Sequence, residues 1–292
     1  MPAKDSSTRS SQESEPYPWK DRVAFISGGA SGIGFGLARV LAARGVRIAL
    51  SDVRREALDA ACVRLVSEGA EVAPFVLDVA DRDAFYATAD AVERHFGNVH
   101  FVFNNAGVGE LGTPLDEVPD KVFDWVVDVN LRGLFNAIKA FVPKVRKHGE
   151  GGHVVNVSSM AGLLTPPGWN QGIYSATKMG VMALSIDLQE ALKDTGIGVS
   201  VVFPGLVRTD LASNVGALRP LAYEKPPEVP AMLASADMPP ETAGEIVLNG
   251  MQHQDFMIVT HPQLWPVVAE FHDQIRRAFE LDRQTTPSVT RS

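Results

Sequence analysis

The chain has 292 residues, a mass of 31.5 kDa, a formal charge of −8 and a sequence pI near 5.4. That length buries a sizeable core as one large α/β domain or two small ones, while an acidic balance without a cationic patch argues against a general nucleic-acid binder, which presents a basic face. The single cysteine, Cys62, excludes an intrachain disulfide and any cysteine metal cluster, and the seven histidines show no HExxH or comparable ligand spacing, so no catalytic metal is expected.

From the start of the chain, the first twenty or so residues, centred on Lys4 to Pro16, hold no apolar segment. Residues 1–20 therefore read as a disordered polar tail without the hydrophobic region of a signal peptide. No stretch reaches membrane-spanning length, so no membrane association is expected and the cytoplasm is the expected location. Val23–Ser27 is a short apolar run that opens directly into Gly28-Gly29-Ala30-Ser31-Gly32-Ile33-Gly34 and then a helical stretch from Phe35 to Arg44. This is a strand, a tight turn and a helix. Gly28 allows the turn, Gly32 lets the backbone approach a pyrophosphate, Gly34 allows close packing, and the phosphates sit at a helix N-terminus. The next run, Arg47–Ser51, ends at Asp52. An acidic residue about twenty positions beyond such glycines is where a dinucleotide fold places its ribose ligand. Its carboxylate accepts the adenosine ribose hydroxyls and repels a 2′-phosphate, which favours NAD over NADP, although Arg54 and Arg55 follow at once.

Further strands are expected at Glu71–Leu77, His100–Phe103, His153–Val157, Gly198–Phe203 and Phe256–Val259, with helices between them. That alternation predicts a single Rossmann-type α/β domain over 21–282. Its core is a doubly wound parallel seven-stranded sheet of order 3-2-1-4-5-6-7, with helices on both faces and a site at the carboxyl ends of the strands. Residues 283–292 read as a second polar tail.

Tyr174 and Lys178 lie four residues apart in a helical segment and share a face. By itself this spacing describes any exposed helix pair, and the glycine loop is what gives it weight. An unperturbed tyrosine titrates near about 10, so proton exchange with an alcohol at neutral pH needs positive neighbours that lower it. Lys178 and an oxidised nicotinamide would both supply that charge.

With these residues in view, the chain resembles the short-chain dehydrogenase/reductase family. Its TGxxxGxG motif is matched from Ser27 to Gly34 with serine leading, and the remaining motifs run in family order to about residue 210. The resemblance implies roles for the matching residues. Ser31, Gly32, Ile33, Asp52 and Val53 would join Gly28 and Gly34 around the cofactor. Asp78 would meet the adenine amino group beside Val79, and Asn105-Ala106-Gly107 would support the adenine side. Pro204-Gly205, Val207 and Thr209 would contact the nicotinamide carboxamide. Asn130 would kink a helix and link Lys178 to solvent through a water, Ser159, the second serine of its motif, would hold the substrate oxygen, and Tyr174 and Lys178 would serve both catalysis and cofactor binding. The implied reaction is hydride transfer between a nicotinamide cofactor and an alcohol or ketone, and the implied assembly is a homodimer or homotetramer.

The stretch from Leu206 to Pro240 is rich in proline and large apolar groups and reads as a substrate lid, with Leu211 and Tyr223 among its substrate contacts. Leu164, Trp169 and Gln171, in a segment between Ser159 and Tyr174 that is longer than in many relatives, are expected to line the same pocket. The expected substrate is a bulky apolar secondary alcohol. A narrower resemblance, carried by Gly32 to Gly36, Phe123 to Asn130, Leu218 to Pro220 and Thr260 to Pro262, is to a bacterial branch that includes NAD-dependent Cα-dehydrogenases of lignin aryl ethers, which oxidise a benzylic alcohol to an aryl ketone. Steroid or terpene alcohols, an NADP-dependent ketone reductase, an epimerase or dehydratase, and a dinucleotide-binding sensor without turnover are the alternatives. A serine hydrolase is disfavoured, since Ser159 lacks the GxSxG elbow.

Overall fold

A computed structural model describes residues 17–209, 217–222 and 237–282. The strands are Val23–Ser27 (β1), Arg47–Asp52 (β2), Val72–Val76 (β3), Phe101–Asn104 (β4), Gly152–Val157 (β5), Ile197–Phe203 (β6) and Met257–Val259 (β7). Between and after them lie Gly32–Ala42 (α1), Arg55–Ser67 (α2), Arg82–Phe96 (α3), Asp120–Val127 (α4), Gly133–His148 (α5), Gly172–Ala191 (α6), Pro240–Gln252 (α7) and Trp265–Asp282 (α8). All strand pairs are parallel, in the order β3-β2-β1-β4-β5-β6-β7, as the alternation of runs predicts. The observed ends differ from the expected ones by one residue at most, because strand ends are set by the hydrogen-bonded register rather than by the apolar run.

Every residue of β1 is buried, and the two-residue period sends alternate side chains to opposite layers. Ala24 and Ile26 join Phe101, Phe103, Leu37, Leu41 and Val247 under α1, α2 and α7. Val23 and Phe25 join Val102, Phe85, Phe141 and Val154 under α3 and α5. Helices on both faces therefore follow from strands that are apolar throughout. The edge strand β3 alternates in burial and carries Pro74, which costs nothing at an edge where no neighbour needs its missing donor. Cys62 packs in the first layer as a small hydrophobe, its thiol pushed up to about 11, first by burial and then by Asp59.

Two contacts place the site. Helices α1 and α7 cross so closely that a Cβ on Gly36 would lie 2.4 Å from the Pro240 carbonyl. A parallel bridge between Val207 and Met238, with Arg208 N donating to Met238 O at 2.9 Å, draws the start of the presumptive lid stretch against its end. At the opposite end of the sheet the folded body begins earlier than the expected tail boundary. Tyr17 and Trp19 are buried against Phe101, and the Tyr17 hydroxyl bonds His153 Nδ1 at 2.8 Å. The aromatic pair is too short a signal to read from a polar segment, and burial against the sheet is what orders it. Residues 1–16 and 283–292 of the expected tails lie outside the described residues. Among the described residues no helix is long and apolar enough to cross a membrane.

Candidate active site

The cleft lies at the carboxyl ends of the strands, where the chain leaves β1 in one direction and β4 in the other, the crevice in which open α/β sheets bind ligands. Gly28 makes the turn out of β1 with φ +62°, and a Cβ there would lie 2.8 Å from Ala106 Cα. Asn105 ties the two loops together, its Nδ2 donating to Ser27 O and Gly28 O at 3.0 Å each, while the Ser27 hydroxyl accepts from the Asn105 and Ala106 amides. Between the glycine loop and the loop after β6, Gly32 faces Thr209, and a Cβ at Gly32 would come within 3.1 Å of it. The missing side chain keeps open a cleft of about 720 Å³.

That cleft is lined by Gly28, Ser31, Gly32, Ile33, Asp52, Val53, Asp78, Val79, Asn105, Ala106, Gly107, Ser159, Tyr174, Lys178, Pro204, Gly205, Val207 and Thr209, which the sequence places around a dinucleotide or its substrate. Gly34 does not line it. A Cβ there would lie 2.3 Å from Gly28 O, so this residue serves packing behind the loop. Asp52 is buried, its Oδ2 accepting from Ala30 N at 3.2 Å and its Oδ1 from Arg54 N at 3.0 Å and Arg54 Nε at 3.1 Å. Arg54 also reaches the Ser31 hydroxyl at 3.1 Å, so carboxylate and guanidinium stand together at one end of the cleft.

Tyr174 sits in the first turn of α6, partly buried, with its phenol beside the Ser159 hydroxyl. Desolvation raises its pKa and the Ser159 hydroxyl lowers it, with desolvation the larger effect. Lys178, one turn on, is buried with its Nζ donating to Val157 O at 3.0 Å and lying 5.7 Å from the Tyr174 ring centre. Burial lowers its pKa to about 8. The two serines of the motif are separated by their partners. The Ser158 hydroxyl is committed to Lys178 O at 2.7 Å, whereas the Ser159 hydroxyl accepts from Ala161 N at 3.1 Å and faces Tyr174.

Asn130 lies in a π-helical turn, Asp128–Arg132, between α4 and α5. Such turns mark a helix interrupted at a functional position. Its side chain is fully used: Oδ1 accepts from Val108 N at 2.9 Å, and Nδ2 donates to Val108 O at 2.8 Å and Thr177 Oγ1 at 2.9 Å. It lines not the main cleft but a small adjoining cavity of about 10 Å³ shared with Lys178.

At the substrate end the expected residues divide. Ser159 is in the cleft. Leu164 is buried and lines neither this cleft nor the second cavity, because Leu164 N bonds Met160 O and folds the chain back into a short helical turn. Trp169 also lines neither, its carbonyl accepting from Gly112 N at 3.2 Å to pin two loops together. Gln171 lines a separate cavity of about 250 Å³. Leu211 and Tyr223 lie outside the described residues. The cleft instead takes Val108, Trp125, Leu218 and Pro220 as its apolar wall. Arg219, between the last two, is held by Glu110, a pair that no motif signals because its members are 109 residues apart. Behind the Pro204-Gly205 turn, Gly205 N donates to Thr260 Oγ1 at 3.0 Å, and a Cβ on Gly205 would lie 2.7 Å from the His261 ring.

Among the described residues His100, His148 and Glu150 come together at the far end of the sheet. Both rings are committed to hydrogen bonds there: His100 Nδ1 accepts from Val23 N and its Nε2 meets Glu150, while His148 Nδ1 accepts from Glu150 N and its Nε2 meets Val99 O.

Comparison with known proteins bears on this geometry. The family model described as short chain dehydrogenase matches residues 22–219. The C alpha-dehydrogenase of Sphingobium sp. strain NBRC 103272 / SYK-6 is 34% identical over 255 residues, 84% of this chain and 82% of that protein. The 1-deoxy-11-beta-hydroxypentalenate dehydrogenase of Streptomyces exfoliatus is 33% identical over 199 residues, 68% of this chain and 72% of that one. A short chain dehydrogenase/reductase from Burkholderia phymatum, solved in complex with NAD, superposes with a TM-score of 0.83 at 31% identity, covering 94% of this chain and 99% of that chain.

Proposed function

The chain belongs to the short chain dehydrogenase family of oxidoreductases, and from that premise we propose that it transfers hydride between NAD and a bulky apolar secondary alcohol or the matching ketone. The observation that carries this is that Ser159, Tyr174 and Lys178 line one cleft, with the buried Lys178 Nζ 5.7 Å from the Tyr174 ring centre.

The open cleft and the Gly32–Thr209 gap fit a dinucleotide. Asp52 would accept the adenosine ribose hydroxyls, Asn105 to Gly107 would flank the adenine, and Lys178 would hold the nicotinamide ribose. The bound cofactor supplies a hydride acceptor in one direction and a donor in the other. Ser159 donates a hydrogen bond to the substrate oxygen and keeps it beside Tyr174. In oxidation Tyr174 takes the hydroxyl proton, and in reduction it returns one to the carbonyl oxygen. Burial favours the neutral phenol, which is the form reduction needs, and the ammonium of Lys178 favours the phenolate that oxidation needs. The small cavity beside Lys178 and Asn130 has about the volume of one water, which supports a proton path away from the lysine.

The apolar wall of Val108, Trp125, Leu218 and Pro220 supports a large hydrophobic substrate, and it supports reading 206–240 as a lid. The Sphingobium relative, named as a C alpha-dehydrogenase, supports an aryl secondary alcohol. The Streptomyces relative, named for a hydroxypentalenate, favours a terpene or steroid alcohol as the second reading. Half-exposed Phe123, Phe135 and Ile186 on α4, α5 and α6 support a homodimer or homotetramer. The test is NADH formation with NAD or NADP and a panel of benzylic, steroid and aliphatic secondary alcohols, with Tyr174→Phe as control. NAD-dependent turnover lost in the variant carries the reading; cofactor binding without turnover across the panel overturns it in favour of a substrate outside the panel, an internal redox cycle or a sensor.

A further inference from the structure

The cavity of about 250 Å³ that Gln171 lines belongs to no part of the reaction cleft. It lies between the loop after β4 and the loop before α6, and it adjoins the catalytic residues through Ile173, the neighbour of Tyr174. Leu115, Val118, Pro166, Pro167 and Ile173 make its apolar lining. The two loops are held together by Gly112 N donating to Trp169 O at 3.2 Å and Asn170 Nδ2 to Gly112 O at 3.5 Å, so the walls are already formed without an occupant.

Gln171 is the unusual group. The residue is 5% exposed, it occupies the N-cap position of α6, and its side chain makes no capping bond. Its amide makes no hydrogen bond with another described residue, and the residue lines the cavity, where an occupant can meet it. A buried amide without a partner is costly unless something fills the role. An amide both donates and accepts, which suits a hydroxyl or an ether oxygen.

Charge narrows the occupant further. Glu110 lines the cavity, but its carboxylate is matched by Arg219 and by the Thr113 hydroxyl at 2.6 Å. Among the described residues no lysine, arginine or histidine lines the space, so none of them recruits a carboxylate or phosphate there. The volume lies below the roughly 300–1,000 Å³ of sites that enclose a whole drug-sized ligand and suits a single ring with a substituent.

We propose that this cavity is a second binding site, for a neutral ring-sized apolar group whose hydroxyl or ether oxygen meets Gln171. The group comes either from the remote end of the alcohol or from a separate small molecule. The first source rests on the function proposed above, and the site itself does not.

Phenol is the probe, titrated into methyl-labelled full-length protein, with toluene as the ligand lacking the hydroxyl. Phenol shifts the Leu115, Val118 and Ile173 methyl resonances saturably. Gln171→Leu weakens phenol at least tenfold and leaves toluene unchanged, and Val118→Phe, which fills the space from the opposite wall, removes both. Thermal melts check that each variant is folded. Absence of saturable shifts at these methyls, or equal phenol affinity in the wild type and Gln171→Leu, overturns the site. The source is read separately: phenol raising the KM of a two-ring secondary alcohol but not of 1-phenylethanol assigns the site to the substrate, and no change in either assigns it to a separate ligand. Failure of all turnover sinks the enzymatic reading while the resonance titration still decides the site.

Discussion

Arg219 grips Glu110 from two directions, Nε to Oε2 at 2.9 Å and Nη2 to Oε1 at 3.0 Å, with the two side chains 3% and 1% exposed. A two-pronged pair so far from water fixes the segment that carries Leu218 and Pro220 onto the cleft wall. Breaking it from one side strands a buried charge. Arg219→Met should cost about 3–5 kcal/mol, and combining it with Glu110→Gln should cost less than the two single changes added. Urea unfolding of the four proteins measures this, and strict additivity would show that the pair does not act as a unit.

Tyr174→Phe removes the hydroxyl that would exchange a proton beside Ser159. It should lower kcat by about 10²–10⁴, with NAD affinity changed only a few-fold. Steady-state kinetics and fluorescence titration of NAD separate the two effects. A variant that retains a tenth of wild-type kcat would remove Tyr174 from the proton path.

Asp52→Asn probes the cofactor. The carboxylate that would repel a 2′-phosphate stands against Arg54, and Arg54 reaches into the same end of the cleft. Neutralising Asp52 removes the carboxylate charge that faces Arg54 and with it the repulsion. The ratio of kcat/KM for NAD over NADP should fall by about tenfold or more, the scale of 1.4 kcal/mol or greater. An unchanged ratio would mean that Asp52 does not face the ribose.

His153 makes acid stability measurable at a single residue. Its Nε2 meets Ser200 Oγ at 2.8 Å, and the Ser200 hydroxyl is already donated to Asp255 O, so Nε2 carries the proton and Nδ1 accepts from Tyr17. A second proton would make a charged ring away from water, and burial lowers the pKa from 6.5 to about 3. Between those values the unfolded chain binds the extra proton, so stability is unaffected above pH 6.5 and falls as the pH drops toward 3. The loss reaches at most about 5 kcal/mol. In His153→Asn this pH dependence should be absent, so the difference in unfolding free energy between variant and wild type should shrink below pH 6.5. A constant difference from pH 7 to pH 4 would contradict it.

Local motifs carried most of the architecture. Val23–Ser27 is apolar at every position because both its faces are covered, and that same run opening into the glycines announces both the strand and the cleft beside it. Tyr174 and Lys178 were legible for a similar reason: a helix brings positions four apart onto one face whatever else the chain does. The loops were less legible. Leu164, Trp169 and Gln171 form one continuous stretch, yet Leu164 turns into the body, Trp169 pins a neighbouring loop and Gln171 opens on a different cavity. A loop has no period from which side-chain direction can be read.

The alternation of strands and helices, the glycine turn and the shared face of Tyr174 and Lys178 could be read from the chain alone, because each depends on short-range geometry repeated by the backbone, whereas the choice of Ser159 came from the family resemblance. Tertiary structure decided what long-range packing controls. Burial, which no residue reports by itself, turned the Tyr174 pKa upward and brought Lys178 down to about 8. Packing also gathered residues with no shared spacing: Glu110 with Arg219, Gly205 with Thr260, and Tyr17 with His153. Those pairs join segments distant along the chain, and such contacts exist only once the sheet has closed the distance between them.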